Sequence, residues 1–201
     1  MSTKKNKLTL YALFGVTIVP IAAAYFMFFT GIGVPEHTVN SGVFLPKPVN
    51  VKAILLPDQA AELARFDTEK RWRLLIPVPK LCNDQCQQNL YTTRQVHIRL
   101  GEKSVRVERV AVNLAGQDGS TYLDSIAADH PLLKRVTVTE QQWQQWMAKA
   151  EFNQDMMDRH YYLLVDQEGF AMMEYDTTIH GNDLLKDLKR ALKYSIEYPS
   201  P

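Results

Sequence analysis

Hydrophobic and polar positions change character along this chain. From Leu8 to Val34 there is no Asp, Glu, Lys or Arg. About 20 apolar residues suffice to span a bilayer as a helix. The run LTLYALFGVTIVPIAAAYFMFF meets that length, and Pro20 inside it is tolerated in membrane helices. Residues 31–50, GIGVPEHTVNSGVFLPKPVN, show no period. Gly and Pro punctuate them, Asn40-Ser41-Gly42 reads as a turn and Leu45-Pro46-Lys47-Pro48 as extended chain, so the stretch is expected to be a juxtamembrane linker.

Beyond residue 50 the periods are those of a folded domain. Trp72 to Val78 is a short apolar run ending at prolines, a buried strand. From Asp84 to Leu100 the pattern is helical, with Leu90, Val96 and Leu100 near one face and Gly101 as the C-terminal cap. Val105 to Asn113 alternates and reads as a second strand. Gln117-Asp118-Gly119-Ser120 reads as a turn, and Arg135 to Val138 as a short strand. Thr139 with Glu140 opens a helix carrying Trp143, Trp146 and Met147. Tyr161 to Val165, the turn Gln167-Glu168-Gly169 and Phe170 to Tyr175 form a hairpin. Asp183 to Tyr194 is an amphipathic helix with Leu184, Leu185, Leu188, Ala191 and Leu192 inward. Strand, helix, strand implies a parallel pair with a right-handed crossover, and the closing hairpin makes the sheet mixed. The order is that of an α/β, thioredoxin-like fold, a mixed sheet flanked by helices and preceded by one transmembrane helix.

Composition narrows the classes. The chain has 201 residues, room for one anchor and one domain. With 23 basic and 22 acidic residues it carries no basic excess, which argues against nucleic acid as a partner. Lys4, Lys5 and Lys7 precede the apolar run, and the next basic residue is Lys47. The positive-inside rule then sets residues 1–7 in the cytoplasm, 8–30 in the lipid bilayer, 31–50 as linker and 51–201 as a domain outside, in the periplasm of a bacterial inner membrane. A cleaved signal peptide fits less well. Tyr25 to Phe29 are bulky, and Ala22-Ala23-Ala24 lies inside the run, not after it.

The two cysteines, Cys82 and Cys86, form C-x-x-x-C where the first core strand gives way to a helix. In a helix or its first turn, i and i+4 share a face. The sulfurs there either bond to each other or share a soft metal. A helix N-terminus favours the thiolate, the form that attacks disulfides and binds soft metals. A purely structural role for so small a loop gains little.

The segment WRLLIPVPKLCNDQCQQNLYTTRQVHIRLGEKSVRVERVAVNL, with YYLLVDQEGFAMMEY and LLKDLKRALKYS, resembles the Sco/SenC family. These are membrane-anchored, thioredoxin-fold proteins that help assemble the copper centre of cytochrome c oxidase. The resemblance implies that Cys82 and Cys86 bind copper as Cu(I). Asn83 stands where the family has Pro. The family's third ligand is a His before the late hairpin strand. Aligning the turn Gln167-Glu168-Gly169 with the family's Pro-Asp-Gly puts Asp158 there, and His160, two residues on and on the same face of an extended strand, is the candidate ligand.

The leading expectation is an accessory protein for oxidase assembly. Its partner is a cytochrome c oxidase subunit or another membrane-bound assembly factor. It delivers Cu(I) or keeps the oxidase's own cysteines reduced. A broader thiol–disulfide oxidoreductase, with Cys82 attacking and Cys86 resolving, is the enzymatic alternative. A binding module whose disulfide only gives shape is a further one. His180 reads as a cap before the last helix, His97 as a surface residue, and His37 and His130 as loop residues beside prolines. Met156, Met157, Met172 and Met173 read as core filling, and Trp143 and Trp146 as core or docking surface. No phosphate loop, H-E-x-x-H or G-x-S-x-G occurs.

Overall fold

A computed structural model describes residues 2–33, 39–55, 59–151 and 160–198; His37, Met156, Met157 and Asp158 lie outside these. The chain divides into two compact units, Met1–Val39 and Asn40–Pro201. The first contains helix α1 (Ser2–Thr30), in which Thr9–Thr30 is long and apolar enough to cross a membrane. Two of its threonines bond back to the helix backbone. Thr17 Oγ1 donates to Leu13 O at 3.2 Å and Thr30 Oγ1 to Phe26 O at 2.7 Å.

The second unit is a six-stranded sheet between two helical layers. In chain order its elements are β1 (Val43–Asn50), α2 (Ala60–Thr68), β2 (Trp72–Val78), α3 (Asp84–Arg99), β3 (Val107–Asn113), α4 (Gln117–Ser125), β4 (Leu133–Thr137), α5 (Glu140–Ala148), β5 (Tyr161–Val165), β6 (Phe170–Asp176) and α6 (Gly181–Tyr194). The spatial order is β1-β6-β5-β2-β3-β4. β2, β3 and β4 run parallel, and β5, β6 and β1 add antiparallel neighbours, so the expected mixed thioredoxin-like sheet is what forms. β2 is buried on both faces, which is why its sequence is almost continuously apolar. Leu74 and Ile76 pack with Leu90 and Val96 of α3 and with Leu184 and Leu188 of α6. Leu75 faces the other way, toward Phe66 of α2 and Trp143, Trp146 and Met147 of α5. The tryptophans are therefore core. Trp143 Nε1 donates to Tyr161 Oη at 2.9 Å and Trp146 Nε1 to Asn50 O at 2.8 Å.

Part of the stretch read as linker is strand. Val43–Asn50 pairs antiparallel with β6 and buries Leu45 and Val49. Pro46 and Pro48 fit because β1 is an edge strand whose register shifts between Phe44 and Val49, so neither proline is asked for a ladder hydrogen bond there. The turn read at Gln117–Ser120 is the first half of α4. The helical position 119 takes a glycine because the Asn113 side chain occupies the space of a Cβ. The strand read from Val105 begins at Val107, since residues 101–106 form a 3-10 helix that opens at Gly101, whose φ is +59°.

Two buried ionic arrangements fix the layers. Glu108 of β3 accepts from Arg73 Nε at 3.1 Å and pairs with Arg65 of α2. Arg73 also donates to Glu69 O at 2.6 Å and lies 4.0 Å over the Phe66 ring. At the other end, the buried Asp187 of α6 accepts from Ser41 N at 2.8 Å, Gly42 N at 3.1 Å and Tyr175 Oη at 3.1 Å. Arg190, one turn on, donates to Asn40 Oδ1 at 3.1 Å. Asn40–Gly42 is thus fastened to α6. Gly42 is required by this close approach, because a Cβ there would run into the Tyr175 ring.

Asp187→Ala strands two backbone N–H groups and a buried hydroxyl. It is expected to lower stability by about 2–4 kcal/mol, and Gly42→Ala by about 1–3 kcal/mol through overpacking. Denaturant unfolding of the full chain in detergent micelles checks both. An unchanged midpoint in either variant would contradict the fastening.

Candidate functional site

The site follows from where β2 stops. Pro77 and Pro79 bracket Val78, and the chain leaves the sheet after Val78 O has accepted from Leu114 N at 3.0 Å. The loop turns at Leu81, whose carbonyl accepts from Asn83 N at 3.0 Å. Asn83 is extended, with φ −73° and ψ −175°, and caps α3 by accepting from Cys86 N at 3.1 Å. Asn, a favoured N-cap, thus does at this position what Pro cannot, since its side chain satisfies one of the orphan donors of the first turn. Gln87 Nε2 donates to Cys82 O at 3.1 Å, which ties the loop to the helix.

Cys82 and Cys86 are joined by a disulfide, with their Cα atoms 5.1 Å apart. The alternative that spacing left open, bond or shared metal, is closed in this state in favour of the bond. The two sulfurs sit in unequal surroundings. Cys86 is 1% exposed, whereas Cys82 is half-buried against the cluster of Val78, Ala111 and Leu123. An incoming nucleophile therefore reaches the Cys82 side first. The α3 N-terminus favours a thiolate there. Asp84 in its first turn adds a like charge that opposes it.

His160 immediately precedes β5. The β2–β5 register pairs Arg73 with Val165, Leu74 with Leu164 and Leu75 with Leu163. Because the two strands run antiparallel, the start of β5, next to His160, lies toward the C-terminal end of β2. His160 is half-buried, and burial holds its pKa below the ordinary value, which keeps it in the neutral form that ligates metals. Among the described residues no three His, Cys, Asp or Glu side chains are grouped as a metal site.

The other histidines resolve differently from one another. His180 caps α6 as expected, its Nδ1 accepting from Asn182 N at 3.1 Å. His97, read as a surface residue, is half-buried with Nε2 2.9 Å from Val107 O. Its helix packs close to the start of β3, a proximity that helical spacing alone did not reveal. His130, read as an uninformative loop residue, meets the guanidinium of Arg109, with Nδ1 3.2 Å from Nη2. Of the methionines, Met173 is core, and Met172 lines an apolar cavity of about 270 Å³ with Phe44, Trp72, Ala191 and Tyr194.

Asn83→Ala removes the cap and is expected to cost about 1 kcal/mol, read as a lowered thermal midpoint. His97, His130 and His160 are all held below their unfolded pKa of 6.5, chiefly by burial. Each favours the neutral form when folded. Their stabilising contribution is complete above pH 6.5 and is lost as pH falls from there toward the lowered folded values. Unfolding midpoints measured from pH 7.5 down to 5.5 should decline, and His97→Gln should flatten the decline.

Comparison with known proteins rests on this geometry. Residues 72–195 match the family model described as "Transmembrane-like, thioredoxin-like, C-terminal domain". No curated protein matches the sequence. Among solved structures, yeast Sco1 is similar with a TM-score of 0.50 at 14% identity, over 64% of this chain and 83% of that one. Yeast Sco1 with copper bound gives 0.51 at 14%, over 63% and 80%. Arabidopsis thaliana ScoI with copper bound gives 0.50 at 14%, over 64% and 88%. At such identity the likeness is one of fold. The chain belongs to the transmembrane-like, thioredoxin-like C-terminal domain family, and its globular unit shares its fold with Sco proteins.

Proposed function

We propose that this protein is a membrane-tethered accessory factor for cytochrome c oxidase assembly, with Cys82 and Cys86 as its working pair. The observation that carries the reading is the placement of that pair. Two cysteines lie between the C-terminal end of the central strand and the first turn of α3, in a fold shared with copper-bound Sco structures. The lysines ahead of the apolar span of α1 favour a cytoplasmic N-terminus and a periplasmic domain on a bacterial inner membrane.

The disulfide state fixes the order of events. A disulfide offers no thiolate to Cu(I), so the pair is first reduced. Two electrons and two protons convert the bond into two thiols, and a dithiol donor is oxidised to its own disulfide in exchange. The reduced pair then holds Cu(I) as cargo through both sulfurs, with neutral His160 as third ligand. Soft ligands suit this ion and permit its transfer to a similar set on an oxidase subunit. The second reading is thiol–disulfide exchange with the oxidase's cysteines. The unequal burial of the two sulfurs favours it, since Cys82 faces a partner while Cys86 stays behind to resolve the mixed disulfide.

The test is an anaerobic Cu(I) titration of the reduced full-length protein in micelles against a competing chelator, with Cys82→Ser and His160→Ala alongside. One-to-one binding, lost in Cys82→Ser and weakened about ten-fold or more in His160→Ala, is the expected result. Binding no tighter than that of Cys82→Ser would rule out copper carriage. A mixed disulfide trapped on Cys82 in Cys86→Ser would then identify exchange as the activity.

A further inference from the structure

Arg109 lies within β3 and is only 2% exposed. A buried guanidinium is ordinarily matched by a carboxylate, as Arg73 is by Glu108 on the opposite face of the sheet. Arg109 has no such partner among the described residues. Its Nε donates to Thr93 Oγ1 at 3.2 Å, and its Nη2 to Leu90 O at 2.8 Å and to His130 Nδ1 at 3.2 Å. All three acceptors are neutral. Nη1 makes no hydrogen bond among the described residues.

Arg94 follows Thr93 on α3, is half-buried, and is in no ion pair among the described residues. Burial first, and then the charge of Arg94, push Arg109 down to about 10. Burial, then Arg109 and Arg94, also hold His130 below its ordinary value. Asp129, next to His130, is exposed and outside ion-pair distance of both arginines. The tautomer of His130 follows from the contact. Since Nδ1 accepts from Arg109, the neutral ring carries its proton on Nε2 and has a donor to spare.

We propose that Arg109, Arg94 and His130 form a binding site for a phosphate-class oxyanion, at the seam between α3 and the loop from α4 to β4. Two guanidinium groups suit a doubly charged tetrahedral anion. Arg109 offers a pre-set planar donor whose orientation Thr93 and Leu90 already fix, and Arg94 closes on the anion from the half-exposed side. The anion supplies the missing negative charge, so its binding stabilises the fold. The site is separate from the cysteine pair, eight residues further along α3 than Cys86 when counted to Arg94. It takes the same chemistry from free inorganic phosphate or from the headgroup of an anionic lipid.

The test uses the full-length protein in nanodiscs of phosphatidylcholine, with inorganic phosphate added at an ionic strength held constant with chloride. The expected result is a saturable rise in thermal midpoint and an upward shift of the His130 titration seen by NMR. In Arg94→Gln, apparent affinity should weaken about ten-fold or more, the worth of one charge-assisted hydrogen bond. Arg94→Lys should fall between. A rise no larger than chloride alone produces, or one kept intact in Arg94→Gln, would overturn the proposal. Nanodiscs containing phosphatidylglycerol identify the source. A midpoint already raised there, to which phosphate adds nothing, marks the headgroup as occupant. An undiminished response to added phosphate marks the free anion.

Discussion

β2 is hydrogen-bonded along both edges, parallel to β3 and antiparallel to β5, and covered on both faces by helices. Its position is over-determined in three directions, and the elements that follow inherit that precision. Where it ends, the chain has room only for a short loop before α3 docks, so the loop carries Cys82 and the first turn of α3 carries Cys86 to the same end of the sheet. The same antiparallel partner, β5, brings His160 to that end from the other side. Strand register thus brings the start of β5 to the end of the sheet at which β2 hands over to the cysteine pair.

Charge is distributed over the two faces of β3 with opposite solutions. On the α2 face, Glu108 serves both Arg73 and Arg65, a buried cluster whose desolvation cost is offset by carbonyl acceptors and an aromatic ring. On the α3 face, the very next residue, Arg109, is buried among neutral acceptors. Adjacent residues on one strand point to opposite sides, so each helical layer meets a charge that it must compensate by its own means.

The sequence was most legible where a single period governs a segment. β2, α3, the β5–β6 hairpin and α6 lie where apolar spacing puts them, because each buries a face whose pattern packing alone decides. The cysteine pair was legible for the same reason, since its place depends on a strand end and a helix start. β1 was obscured by Pro46 and Pro48, which suit an edge strand with a register shift as well as they suit a linker. α4 was obscured by Gly119, whose small size answers a tertiary contact with Asn113 and not a turn. Arg109 sat in what looked like an alternating strand. Only the helices on both sides of β3 show that its charge is buried, and no local pattern carries that information.

The three tryptophans are divided between the two sides of the sheet. Trp143 and Trp146 stand in the α5 layer with ring centroids 5.0 Å apart, and Trp72 belongs to the layer under α3 and α6. Rings that close couple their electronic transitions, so the α5 layer has an optical signature of its own, a paired circular-dichroism band that a lone indole cannot give. The protein thus carries built-in reporters for each half of its interior. Loosening on one side of the sheet is distinguishable by spectroscopy from loosening on the other, without any label.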